Sequence, residues 1–247
     1  MDLRSIARRH VSPDRRRRLR RLAQWPPVGH VRLGSLARTR PISRNYGWER
    51  GTPIDRYYID RFLTAHVRDV RGRVLEIGDD EYTRRYGGDA VTSSDVLHAS
   101  PGNPQATIVA DLADAPEIAD AAFDCVICTQ TLLLIYDLPA AIATLRRILA
   151  PGGVVLVTLP GVSRICREEA DEWGDYWRFT SDSARRLFGD EESAFGAGEA
   201  EVTAYGNVLA ATAMLHGLAA EEVGARRLDD RDRDFEVLIG VRARRSP

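Results

Sequence analysis

Arg73-Val74-Leu75-Glu76-Ile77-Gly78-Asp79-Asp80-Glu81 is the stretch that decides how this chain folds. An apolar run of strand length, closed by a glycine and then by three acids, reads as a buried strand that turns sharply at its carboxyl end. Outward from it, further strand-length apolar runs lie at 90–94, 107–110, 123–129 and 154–159, separated by helix-like segments. Strands alternating with helices build a parallel sheet with right-handed crossovers, so the fold class is α/β. Upstream, Thr52-Pro53 places a cap residue before Ile54, Tyr57, Tyr58, Phe62 and Ala65 at helical spacing, which predicts a helix beside the sheet. Residues 139–149 predict an amphipathic helix with Ile142, Leu145, Ile148 and Leu149 on one face, stopped by Pro151-Gly152-Gly153. The chain then predicts a helix at 181–188, a strand at 200–205, an apolar helix at 208–222 and a last strand at 234–241.

Composition bounds the function classes. Of 247 residues, 44% are apolar, which is ample for a core, and the formal net charge is −1. The molecule as a whole lacks the cationic excess that points to nucleic acid, so no nucleic-acid partner is expected. Arg15 to Arg18, Arg20 and Arg21 crowd before Trp25-Pro26-Pro27. With no aromatics interleaved, they read as the solvated face of a basic helix, followed by an irregular arm over 1–50; residues 51–247 read as one domain. Cys125 and Cys128 sit three apart in one strand, so they face opposite ways and cannot form a redox or zinc pair. They read as reduced, buried thiols of a cytoplasmic protein, with no metal site expected. No run is long and apolar enough to span a membrane.

Val74-Leu75-Glu76-Ile77-Gly78, Asp95, Ala110-Asp111-Leu112, Phe123-Asp124-Cys125-Val126-Ile127 and Leu149-Ala150-Pro151-Gly152-Gly153 occur in that order. Together they resemble the landmarks of class I S-adenosylmethionine-dependent methyltransferases over roughly residues 52–241. The resemblance implies a doubly wound, seven-stranded, mostly parallel Rossmann-like sheet with an antiparallel C-terminal strand. It also implies S-adenosylmethionine as cofactor, bound beyond the carboxyl ends of the strands. By the same resemblance, Glu76 helps hold the methionine ammonium, while Gly78 and Asp79 form the turn against which the cofactor passes. Asp95, taken to end the second strand, accepts from both ribose hydroxyls. Asp111 accepts from the adenine amino group, the Leu112 amide meets a ring nitrogen, and Gln130 lines the passage to the substrate. The competing explanations are a capped strand end for Glu76, a turn aspartate for Asp95, a helix N-cap for Asp111 and a hydrogen-bonded loop residue for Gln130.

The family's loop carries two further glycines where this chain has Asp79-Asp80-Glu81. Gly78 and Asp95 stand only 17 positions apart, against the ~20 of the comparable dinucleotide fingerprint, so the first crossover helix is expected to be short. Three acids flank the place where the cofactor carboxylate approaches, which calls for a counter-charge or donor from Arg56, Tyr57, Arg84 or Arg85. The stretch Trp173-Gly174-Asp175-Tyr176-Trp177-Arg178-Phe179-Thr180 follows the fifth strand and is expected to shape the acceptor pocket, with satellite-core packing as the alternative. Methyl transfer demands chiefly alignment, so no catalytic residue is assigned; His216 and Asp175 are conceivable bases. The expected activity is methyl transfer to oxygen or nitrogen of a small-molecule acceptor, a sugar or secondary metabolite. The alternative is a catalytically inactive scaffold on the same fold. A nicotinamide oxidoreductase is disfavoured because Gly-X-Gly-X-X-Gly is absent.

Overall fold

β1 (Gly72–Ile77) can sit inside a sheet because Val74 and Leu75, which point to opposite faces, are both fully buried. The computed structural model describes Ser12, Asp14, Arg15, Arg18, residues 25–27 and residues 29–246. The chain divides into two units, residues 1–40 and residues 41–247. In the first, Asp14, Arg15 and Arg18 have helical backbone and Gly34–Leu36 forms a single 3₁₀ turn. Arg16, Arg17, Arg20 and Arg21 of the arginine cluster lie outside the described residues.

The second unit carries a sheet of strand order β3-β2-β1-β4-β5-β7-β6. Its strands are β1, β2 (Val91–His98), β3 (Ile108–Val109), β4 (Phe123–Thr129), β5 (Leu149–Pro160), β6 (Ala200–Tyr205) and β7 (Leu238–Arg244). β1 to β5 pair in parallel, and β7 runs antiparallel to both β5 and β6. The expected doubly wound, mostly parallel sheet with a reversed last strand is therefore the one observed.

Both faces are covered. On one, Leu75, Val126, Cys128 and Val157 pack with α3 (Leu138–Ile148) and α5 (Ser181–Phe188). On the other, Val74, Cys125, Ile127 and Leu156 pack with α1 (Ile54–Ala65) and α6 (Val208–His216). α2 (Glu81–Gly87) is the crossover from β1 to β2, and α4 (Arg167–Glu172) follows β5. Cys125 and Cys128 thus lie in opposite cores, and burial raises both thiols, Cys128 to about 12, so neither is reactive.

Four local expectations are corrected. Thr52 does not cap α1: its hydroxyl donates to Glu221 at 2.7 Å, and Pro53 occupies the cap position. The apolar helix expected over 208–222 stops at His216, because Gly217 takes a left-handed φ of +67° and closes the helix. Ala220–Val223 then forms α7, followed by Ala225–Leu228 as α8. The last strand begins at Leu238 instead of 234, since Asp232 nucleates a turn by accepting the Asp234 and Phe235 amides. The fourth correction, to the end of β2, bears on the site.

Candidate active site

The carboxyl edge of β1 is built around a buried acid. Glu76 is 2% exposed and its carboxyl accepts the Tyr82 and Thr83 amides at 3.1 and 2.7 Å and pairs with the Thr83 hydroxyl at 2.7 Å. These amides belong to the first turn of α2, whose free N–H groups need partners. Glu76 therefore fastens the crossover helix to the strand it follows, with three of the roughly four hydrogen bonds a carboxylate can accept made within the protein.

Burial raises the Glu76 carboxyl to about 7, against the hydrogen bonds from Thr83 and Tyr82 that lower it. A folded-state pKa above the unfolded value of 4.5 means that the folded protein holds the proton more tightly. The stabilising contribution is then complete below pH 4.5 and is lost as the pH rises through about 7. Urea midpoints measured between pH 5 and pH 8 are expected to fall with rising pH, and Glu76→Gln is expected to flatten that slope.

Gly78 has φ +100°, a conformation that suits glycine, and a Cβ placed there would meet no atom within 4 Å. The turn is therefore open on the side where a side chain would stand. Its amide donates to the Leu97 carbonyl at 3.0 Å, and its carbonyl accepts from Asn103 Nδ2 at 2.6 Å. Asp79 caps the Glu81 amide at 2.9 Å. Asp80 pairs with Arg84 at 3.1 Å. From α1, Arg56 donates to the Tyr82 hydroxyl at 2.9 Å; Tyr82, Asp55 and Asp79 favour its charged form against the opposing effect of burial. One acid of the loop thus has a cation paired with it, supplied by α2 itself, and Arg56, 23 positions before Asp79, adds positive charge beside the first turn of α2. The other candidates are engaged elsewhere: Tyr57 donates to Asp229 and Arg85 pairs with Asp60.

The structure separates Asp95 from this group. β2 continues three residues past Asp95 to His98, and Asp95 pairs with Leu75, three residues short of Gly78. At ~3.3 Å per residue, that places it about 10 Å below the edge. Its carboxylate accepts from the Thr107 hydroxyl at 2.8 Å. The strand expected over 90–94 puts Asp95 at its end, but β1 and β3 flank β2 and hydrogen bonding carries it on. The residue at the edge is His98, which sequence reasoning missed; the signal was the spacing, since it stands 20 positions after Gly78.

Asp111 lies beyond β3, exposed, and accepts the Ala113 amide at 2.9 Å in a turn, not at a helix cap; Leu112 beside it is buried. Gln130 follows β4 directly, with φ +50° and its amide on the Thr158 carbonyl of β5 at 3.0 Å. Glu76, Gly78, Asp79 and Gln130 therefore stand on the edges of two adjacent strands, and Asp111 and Leu112 lie beyond the outermost strand of the parallel side.

The aromatic stretch after β5 is pinned at several points. Tyr176 N–H donates to the Leu133 carbonyl at 2.9 Å, Trp177 Nε1 to Ile135 O at 3.0 Å, and Phe179 N–H to Pro160 O at 2.8 Å. Asp175 is ion-paired with Arg178 and accepts the Cys166 amide at 3.1 Å. Arg178 holds the Asp175 carboxyl below its ordinary range, which makes it a poor base and removes it from the candidates. His216 ends α6, where its carbonyl accepts the Ile42 and Ser43 amides. Trp173 packs edge-to-face on His98, ring centroids 5.8 Å apart. Since β5 lies three strands from β2 in the sheet, this segment crosses the edges of β4 and β1, a span of roughly 14 Å at ~4.8 Å per strand.

A doubly wound sheet of this order with a single reversed strand, and an open glycine turn where the strand order reverses, defines the fold of class I methyltransferases. Residues 53–190, more than half of the chain, match the family model described as "Methyltransferase domain". The chain belongs to that family: it is a class I methyltransferase, the class that draws its methyl group from S-adenosylmethionine. Among solved structures it is similar to a Thermobifida fusca protein provisionally named a methyltransferase. They share 15% identity with a TM-score of 0.50, covering 90% of this chain and 99% of that one. It is also similar to a SAM-dependent methyltransferase from Archaeoglobus fulgidus (9%, TM-score 0.48, covering 77% and 94%). A third similar structure is the [4+2]-cyclase SpnF (20%, TM-score 0.49, covering 80% and 84%). No curated protein matches.

Proposed function

We propose that this chain methylates oxygen or nitrogen of a small-molecule acceptor, a sugar or secondary metabolite, in the cytoplasm. The observation that carries this reading is the segment from Trp173 to Trp177, drawn across the strand edges and held there. Beside it, Tyr136 is 71% exposed and packs against Tyr176 and Trp177, forming an aromatic platform open to a ring or sugar face.

The residues present fit the cofactor. The Gly78 turn leaves space where a side chain would stand, Arg56 is a part-buried cation bonded to Tyr82 of α2, and Gln130 holds a left-handed backbone of the kind retained at functional sites. In this reading Gly78 and Asp79 form the wall along the methionine moiety. Arg56 takes its carboxylate, Asp111 and the Leu112 amide take the adenine, and Gln130 lines the passage to the acceptor. Glu76 acts indirectly by fixing α2. Bound there, the cofactor supplies a methyl group already activated on a sulfonium. The protein's remaining task is to align acceptor and methyl group and to exclude water, which the crossing segment does.

Calorimetric titration with S-adenosylhomocysteine tests this. The wild-type protein is expected to bind, and Arg56→Ala to bind at least tenfold more weakly, the loss of a charge-assisted contact. Unchanged affinity in Arg56→Ala removes that residue from the site. No binding by the wild-type protein favours the inactive scaffold.

A further inference from the structure

We propose that His98 recognises the ribose of the bound nucleoside, in the place where an acid was expected, and that Asp95 has no part in binding. The inference rests on the crevice being the cofactor site. In open α/β sheets the residue at the carboxyl end of the strand beside the glycine turn meets the ribose, about 20 positions after that turn. His98 meets both conditions: it ends β2 and stands 20 positions after Gly78.

Register supports the same residue. Val96 pairs with Glu76 and Leu97 with Ile77. Alternation along the strand therefore puts His98 on the face of Glu76, and Asp95 on the opposite face with Leu75 and Leu97. The backbone of His98 is fixed on both sides, because the Leu97 carbonyl accepts the Gly78 amide at 3.0 Å and the His98 carbonyl accepts the Ala110 amide at 3.1 Å. Nδ1 is engaged by Ser100, 2.8 Å from its carbonyl and 3.3 Å from its amide, which leaves Nε2 for a ligand. Nε2 has no hydrogen-bond partner among the described residues. Trp173 closes over the ring, so the same contact that places the acceptor segment also walls the nucleoside end of the crevice.

The one ring nitrogen left over can make a single hydrogen bond to a hydroxyl, where a carboxylate could accept from both. The experiment compares affinities of S-adenosylhomocysteine and its 2′-deoxy and 3′-deoxy analogues, by calorimetry, for the wild-type protein and for His98→Phe, His98→Ala and Asp95→Asn. His98→Phe keeps a ring against Trp173 and removes the nitrogen. The wild type is expected to prefer the full ribose over one deoxy analogue by about tenfold, the worth of one well-placed hydrogen bond. That preference should shrink to near unity in both His98 variants and persist in Asp95→Asn. A preference that survives in His98→Phe, that disappears in Asp95→Asn, or that is absent from the wild type overturns the assignment. Failure of the wild type to bind S-adenosylhomocysteine at all refutes the cofactor reading itself, a result distinct from any of these.

Discussion

Glu76→Ala is expected to destabilise the fold more than any other single change at the strand edges. The substitution strips the Tyr82 and Thr83 amides and the Thr83 hydroxyl of their common partner in a site that is 2% exposed. Buried donors left without an acceptor cost about 1–3 kcal/mol each, so a loss of about 3–4 kcal/mol is expected. For a unit of this size that corresponds to a fall in Tm of roughly 10 °C. Thermal melts of Glu76→Ala and Glu76→Gln at one pH check it. Glutamine keeps the volume and one carbonyl acceptor, so it should lose less than half as much. A drop under 2 °C in Glu76→Ala would show that α2 is anchored by something other than this carboxyl.

The second large effect is on the acceptor segment. The Asp175 side chain is 1% exposed, and Arg178 is its ion partner, while Arg178 Nη2 also donates to the Arg164 carbonyl at 2.6 Å and Nη1 to Trp177 O at 2.7 Å. Removing the cation leaves a buried carboxylate uncompensated, which costs about 3 kcal/mol or more. The segment is expected to open instead of tolerating it. In Arg178→Met, the Cys166 and Tyr176 amides should exchange with deuterium about 100-fold faster, the rate equivalent of that cost. Protection of β1 and β4 should be unchanged. Because the fault is an orphaned charge, Asp175→Asn combined with Arg178→Met should recover part of the protection, a non-additivity that simple loss of packing would not give. Equal protection in wild type and Arg178→Met would rule out the ion pair as the fastening.

Much of the frame was legible in residue order. Periodicity gave β4, β6 and α5 with the bounds observed, and the alternation of strand and helix gave the parallel sheet and its wrapped faces. Local chemistry also put Gly78 at a turn and Gln130 at the end of β4. These are properties of neighbours in sequence: apolar spacing decides which face is buried, and glycine decides where backbone can turn left-handed.

What residue order alone did not decide were the partnerships across the sheet. Asp95 reads as the end of its strand, and only pairing with β1 and β3 carries β2 on to His98, which takes Asp95 off the edge and brings a histidine to it. The acidic loop after Gly78 reads as a repulsive site until Arg56 is brought from the preceding helix to the Tyr82 hydroxyl, two residues beyond Asp80. Trp173 meets His98 across the edges of the two strands between β5 and β2, 75 positions away in the chain. Elements are fixed by short-range pattern, whereas the charge and contacts of a site are set by which distant side chains the packed sheet brings within reach, a sum over the whole structure that no local window contains.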